Sequence, residues 1–260
     1  MTSHEPAVKD QLGTLTQRYK TGGAHPEIEG KEIVDLVLKL DSQFPGDIGI
    51  FCAFVLNYVE LKPGEAIFLG AGEPHAYISG GMLTFLPSLH TNRTDANVIP
   101  DIIECMANSD NVIRAGLTPK LRDIPSLISG LTYAASEPDK HLVHPTPFCP
   151  PPFDKCMSML YNPPVPEFSV VQVKLPPGQI EIHREINGPS VAIVTQGSGT
   201  VHWSNDGKKR EMMMVGLGDV FFIGAGIELG IAAIFEELAV YRAFVELQPV
   251  DFHPLFDPQC

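Results

Sequence analysis

"PGEAIFLGAGEPHAY", residues 63–77, aligns without gaps onto "LGDVFFIGAGIELGI", residues 217–231. Gly64 falls on Gly218, Glu65 on Asp219, and Gly70 and Gly72 on Gly224 and Gly226. Shared glycines at fixed offsets mark turns that other residues enter only with strain, so the pair reads as one structural phrase used twice. Each copy is a glycine-acid turn, an apolar strand and a second glycine turn. The first copy ends on His75 and the second on Leu229. A leucine cannot ligate, so the phrase keeps its shape without a histidine, and His75 is a candidate for chemistry rather than for shape.

Around the two copies the texture is that of short strands and tight turns. "GIFCAFVLNYVELKPGEAIFLGAGEPHAYIS", broken by "KPGE" and "GAGEP", reads as three strands. From Phe168 to Leu247 the strand texture returns as a second all-β unit. Between Ser126 and Pro166 prolines crowd into "HPTPFCPPPF" and "YNPPVPEF", where they block both helix continuation and central strand pairing, as in a linker or strap. Near the N-terminus, Ile33, Leu36, Val37 and Leu40 recur at helical spacing and predict one amphipathic helix over 31–44, stopped by "PGD". The preceding thirty residues are polar and weakly periodic and read as a loop or frayed start.

Composition narrows the function classes. A net charge of -13 with no basic cluster argues against nucleic acid as a partner. No apolar run reaches the roughly 18 residues of a spanning helix, and "MTSHEPAVKDQLG" has neither the basic start nor the apolar core of a signal peptide, so a cytoplasmic protein is expected. The 5 cysteines are an odd number without CxxC spacing, which favours free thiols over a disulfide frame or a cysteine-zinc site.

A glycine-acid turn, an apolar strand and a glycine turn leading to histidine resemble the second motif of the cupins, small jelly-roll barrels. With "FPGDIGIF" and "ECMANSDNVIRAGLTPK" in the right order, the chain is similar to the type I phosphomannose isomerases from about Lys31 to Leu247. That resemblance implies a mainly β fold: a partial catalytic cupin barrel and a complete C-terminal one, with a short N-terminal helical segment. It divides the chain into 1–45, a remnant of the helical domain; 46–125, the C-terminal part of the catalytic barrel; 126–166, a proline-rich linker; and 167–260, a second, metal-free barrel. "GMLTFLPSLHTNRTDANVIP", 81–100, reads as an inserted loop beside the pocket, and its His90 as a solvent-exposed residue.

The resemblance also implies an activity. Members interconvert mannose 6-phosphate and fructose 6-phosphate with Zn2+, by proton transfer through a cis-enediol, and so supply GDP-mannose synthesis. At matching positions His75 is a zinc ligand and Arg114 the catalytic arginine, while Glu104, Tyr77 and Lys120 face the sugar phosphate. The expected partner is that sugar phosphate alone, with no nucleic acid, no membrane and a monomeric chain. The family completes its zinc site with a Gln-x-His pair and a glutamate from earlier sequence, and residues 1–63 contain no Gln-x-His. The alternative expectation is therefore a cupin that binds sugar phosphate or protein partners without turnover.

Overall fold

The computed structural model describes residues 3–25, 29–79, 81–82, 101–109, 112–149, 156–204 and 210–247. The chain divides into two compact units: Met1–Pro63, Leu69–Ile103 and Asn108–Leu142 form one, and Gly64–Phe68, Glu104–Ala107 and Val143–Cys260 the other. No helix among the described residues is long and apolar enough to cross a membrane.

The first unit is built on two helices. α1 runs Glu5–Lys20 and α2 runs Lys31–Gln43. The α2 helix is the one that the periodicity predicts; α1 corrects the reading of the start as a loop. It buries Val8, Leu12, Thr16 and Tyr19 along one face, against Leu36, Val37 and Leu40 of α2 and Ile50. Burying each large apolar side chain contributes about 1.5–3 kcal/mol, so four or five suffice to hold a helix that propensity alone would leave frayed.

Glu29, in the loop between the two helices, fastens that loop to α1. Arg18 donates to both of its carboxylate oxygens at 2.7 and 2.5 Å, while Tyr19 Oη donates at 2.8 Å and the His25 backbone N–H at 3.0 Å. Led by the Arg18 hydrogen bond, these partners hold the Glu29 carboxyl down at about 2, from an ordinary 4.5. A depressed carboxyl stabilises the fold above its unfolded value and loses that contribution as pH falls toward the folded one. Thermal melts of the helical far-UV signal should therefore fall steeply between those two values. Glu29→Gln should melt lower at neutral pH and show a flatter acid limb; an unchanged acid limb would show that the carboxyl is not what acid attacks.

The segment read as three strands is different. Ile48–Phe54 forms a 3-10 helix, and no strand comes after it until a two-residue parallel pair, β1 (Gly81–Met82) with β2 (Asp101–Ile102). The residue types suit strands, but a strand needs a neighbour for its backbone groups, and among the described residues this segment finds none beyond a single bridge at Ile67. Residues 83–100, including His90 and most of the expected insertion, lie outside the described residues. A short helix, α3 (Ile124–Gly130), is capped by Asp123, whose side chain accepts from Ser126 N at 3.1 Å.

The second unit is all β, as the texture of its sequence predicts. β3 (Thr146–Pro147), β4 (Ser158–Tyr161), β5 (Ser169–Leu175), β7 (Ser190–Gln196), β10 (Val220–Ile223) and β12 (Leu238–Phe244) form an antiparallel sheet ordered β10-β7-β12-β5-β4-β3. A second antiparallel sheet is ordered β6-β11-β8-β9, from β6 (Ile180–His183), β8 (Ser198–Ser204), β9 (Arg210–Gly216) and β11 (Leu229–Ala233). Alternate residues of both sheets meet in one core, with Val171, Val173, Leu175, Val194, Leu238 and Val240 from one and Val201, Leu229 and Ile231 from the other. Polar residues share that interior, His183 and Arg242 among them. His183 is held neutral, its pKa pushed down to about 3 by burial and by the charge of Arg242, whose Nε donates to Ser190 Oγ at 2.9 Å. Strands β3 and β4 rise within the proline-rich stretch; β3 takes the outer edge, where proline's missing donor costs no ladder bond.

Candidate active site

Both copies of the repeated phrase keep their backbone signature. Gly64 and Gly218 have φ of 92° and 88°, and Gly72 and Gly226 have φ of 78° and 72°, the left-handed region where a side chain would strain the chain. Beyond the second glycine turn the copies diverge. Leu229 is 2% exposed and opens β11 inside the core, whereas His75 is exposed on a loop.

That loop is held on three sides. Thr132 N donates to Gly72 O at 3.3 Å, Lys39 Nζ of α2 donates to Ile78 O at 2.8 Å, and Lys140 lies 3.7 Å from the Glu73 carboxylate. Within it, His75 Nδ1 is 2.9 Å from Glu73 O. A carbonyl only accepts, so Nδ1 donates in this bond, and in the neutral ring it is Nε2 that keeps a lone pair for a metal or a proton donor. The Tyr77 ring stands edge-on to the imidazole, with centroids 5.9 Å apart.

Arg114 and Lys120 lie on a second loop of the same unit, and its anchor is a residue that the sequence reading passed over. Asp47 Oδ1 accepts from Gly49 N at 2.6 Å, capping the 3-10 helix, and from Leu117 N at 3.0 Å. One carboxylate thus ties "FPGDIGIF" to "IRAGLTPK". The two chains approach so closely that a Cβ on Gly116 would stand 2.6 Å from Gly49 Cα. Leu117, three residues beyond Arg114, has φ of 54°, a conformation that costs a non-glycine residue about 1–3 kcal/mol and persists only where its surroundings enforce it. Arg114 is half-buried; Lys120 is exposed, and its N–H is turned to Thr118 Oγ1 at 3.2 Å. Glu104, also exposed, belongs to the other unit. The structure therefore brings His75 and Tyr77 together and fixes the Arg114 loop in the same unit.

The described residues do not complete a zinc site at His75. Catalytic zinc takes three protein ligands and an open position. Among the described residues the group of ligand atoms gathered closely enough for an ion is Cys149, Cys156 and Glu181, all mutually within 4.8 Å, and His75 is not in it. Cys149 and Cys156 form a disulfide, a correction to the expectation of free thiols throughout; Cys52 and Cys105 are free, with burial raising both thiols' pKa. The seven-residue separation of Cys149 and Cys156 matches no metal or redox spacing, so only the fold shows that they meet. Asp47 did leave a signal, since it stands inside one of the quoted motifs.

With this geometry in view, the chain's relatives are informative. Residues 1–56 match the helical insertion domain of type I phosphomannose isomerase, and residues 158–206 match its C-terminal domain. A mannose-6-phosphate isomerase of Cryptococcus neoformans is 45% identical over 95% of this chain and 50% of its own length. One of Schizosaccharomyces pombe is 44% identical over 91% of this chain and 52% of its own length. The crystal structure of apo mannose 6-phosphate isomerase from Salmonella typhimurium shares the fold with a TM-score of 0.65 at 23% identity, over 95% of this chain and 52% of that one. The chain thus spans about half the length of the relatives it matches. Two domain models in their family order, and close to half of all residues shared across nearly the whole chain, place it: the chain belongs to the type I phosphomannose isomerase family.

Proposed function

We propose that this chain supplies the arginine loop and sugar-phosphate subsite for the interconversion of mannose 6-phosphate and fructose 6-phosphate, in the cytoplasm and toward GDP-mannose synthesis, and that turnover needs metal ligands its described residues do not supply. The reaction takes a proton from C2 of the aldose and returns it at C1 through a cis-enediol, so charge builds on the two adjacent oxygens. Arg114 suits that charge. A guanidinium stays protonated throughout and, held in place beforehand, stabilises the enediolate without reorganising. Lys120, a compact exposed cation, pairs with the phosphate, and Tyr77 walls the pocket. The observation that carries the reading is the Asp47 anchor, which fixes the Arg114 loop at the expense of a left-handed Leu117. When bound, Zn2+ supplies Lewis-acid polarisation of the sugar oxygens. His75 is the family-matched residue suited to hold it, and one ligand supports no step through the metal.

The lone His75 favours a second reading beside the first, binding of sugar phosphate without turnover. Both readings put the phosphate on Lys120 and the sugar oxygens on Arg114. Mannose 6-phosphate titrated into the isotope-labelled chain should shift amide signals of residues 112–120. Arg114→Ala and Lys120→Ala should each weaken that binding about tenfold or more, on the order of the 1.5–3 kcal/mol of a charge-assisted hydrogen bond. Equal affinity in wild type and both variants would remove these residues from the substrate site.

A further inference from the structure

Cys149, Cys156 and Glu181 lie outside everything assigned above, and their contacts do not balance. Glu181, on β6, is 7% exposed. Met157 N donates to its Oε2 at 2.9 Å. Its Oε1 lies 2.9 Å from Cys149 Sγ and 4.0 Å from Cys156 Sγ. Neither sulfur of a disulfide carries a proton, so this oxygen faces acceptors. His183 Nε2, 3.8 Å away, is turned instead to Ser158 Oγ at 2.9 Å, and the other ring nitrogen, also buried, has no partner among the described residues. A buried carboxylate oxygen left without a donor is costly. A cation held between the oxygen and two thiolates removes the cost.

We propose that Cys149, Cys156 and Glu181 form a binding site for a thiophilic divalent cation, Zn2+ by preference, which fills when the disulfide is opened. The donor set suits the ion. Two thiolates and a carboxylate are ordinary zinc ligands, and bond lengths of about 2.3 Å to sulfur and about 2.0–2.2 Å to oxygen fit ligand atoms already this close. Both cysteines are partly exposed, which gives ion and reductant access, while the carboxylate behind them is buried and fixed by Met157. Opening the S–S bond takes two electrons and two protons from a dithiol, which leaves as its own disulfide; the cation then displaces both thiol protons to solvent. Water completes the fourth position. Cys156 leads into β4 of the larger sheet and Glu181 lies on β6, the edge of the smaller, so the ion ties the two sheets together along with the strap that carries Cys149.

The site is tested with Co2+ on the full chain, reduced with a dithiol that is removed before titration. One equivalent should give a thiolate-to-cobalt charge-transfer band. The band should be absent from the oxidised chain and from Cys149→Ser and Cys156→Ser, and unchanged in His75→Ala. Glu181→Gln should weaken binding by more than the roughly tenfold that loss of even an outer partner costs. Because a cysteine variant can fail to fold, alkylation of the reduced wild-type chain gives an independent reading: Zn2+ should protect Cys149 and Cys156 and leave Cys52 and Cys105 unprotected. A reduced chain without the band, a full-strength band in both serine variants, or equal alkylation with and without Zn2+ would overturn the proposal.

Discussion

Gly116→Ala should destabilise the helical unit by about 3 kcal/mol or more, although it adds one methyl group. The new Cβ would stand 2.6 Å from Gly49 Cα, 2.9 Å from Asp47 Oδ1 and 2.9 Å from Gly49 N. No rotamer relieves a clash between Cβ and backbone, so one loop must move. Moving it breaks the Asp47 bonds to Gly49 N and Leu117 N. Overpacking alone costs about 1–3 kcal/mol, and each hydrogen bond to a charged group adds about 1.5–3. Gly13→Ala makes the matched control. Gly13 lies in the exposed middle of α1 with nothing within 4 Å of its would-be Cβ, so alanine there should stabilise by about 0.5–1 kcal/mol. The two units can be followed separately in urea, because α1, α2 and α3 belong to the first and the single tryptophan, Trp203, to the second. Gly116→Ala should lower the midpoint of the helical signal and leave that of tryptophan fluorescence in place. Equal midpoints for wild type and Gly116→Ala in the helical signal would mean that the two loops are not interlocked.

The same substitution shows what could be read from the sequence and what could not. The repeated phrase was legible because positive φ restricts residue choice locally: Gly64, Gly72, Gly218 and Gly226 announce their conformation by being glycine. The α2 helix was legible for a similar reason, with Ile33, Leu36, Val37 and Leu40 on one stripe. The α1 stripe was fainter because a threonine, Thr16, occupies a buried position between Leu12 and Tyr19. Strand texture misled over residues 49–79, since Val, Ile and Phe fit a pleated surface only where a neighbour strand is present. Long-range pairings left no sequence trace. Asp47 meets Leu117 across 70 residues and Glu181 meets Cys149 across 32, and neither spacing has a local signature. His75, Tyr77 and Arg114 were singled out by family motif, and the structure adds the His75–Glu73 hydrogen bond and the loop anchor that such a motif does not contain.

The largest expected effect is on turnover. One imidazole, however well oriented by Glu73 O, holds zinc weakly, and the Lewis-acid stabilisation of an enediolate is worth several kcal/mol. At roughly 1.4 kcal/mol per factor of ten, losing about 5 kcal/mol slows the reaction on the order of 10³ to 10⁴. A cation at Cys149, Cys156 and Glu181 would not substitute, because His75 takes no part in that group. The central claim of the proposed reading is that this chain presents the Arg114 loop and His75 without, among the described residues, closing a catalytic metal centre. It is tested most directly by assaying the purified 260-residue chain with mannose 6-phosphate and added Zn2+. The account expects fructose 6-phosphate to form no faster than with the Arg114→Ala chain. Zinc-dependent turnover that disappears in both His75→Ala and Arg114→Ala would contradict it.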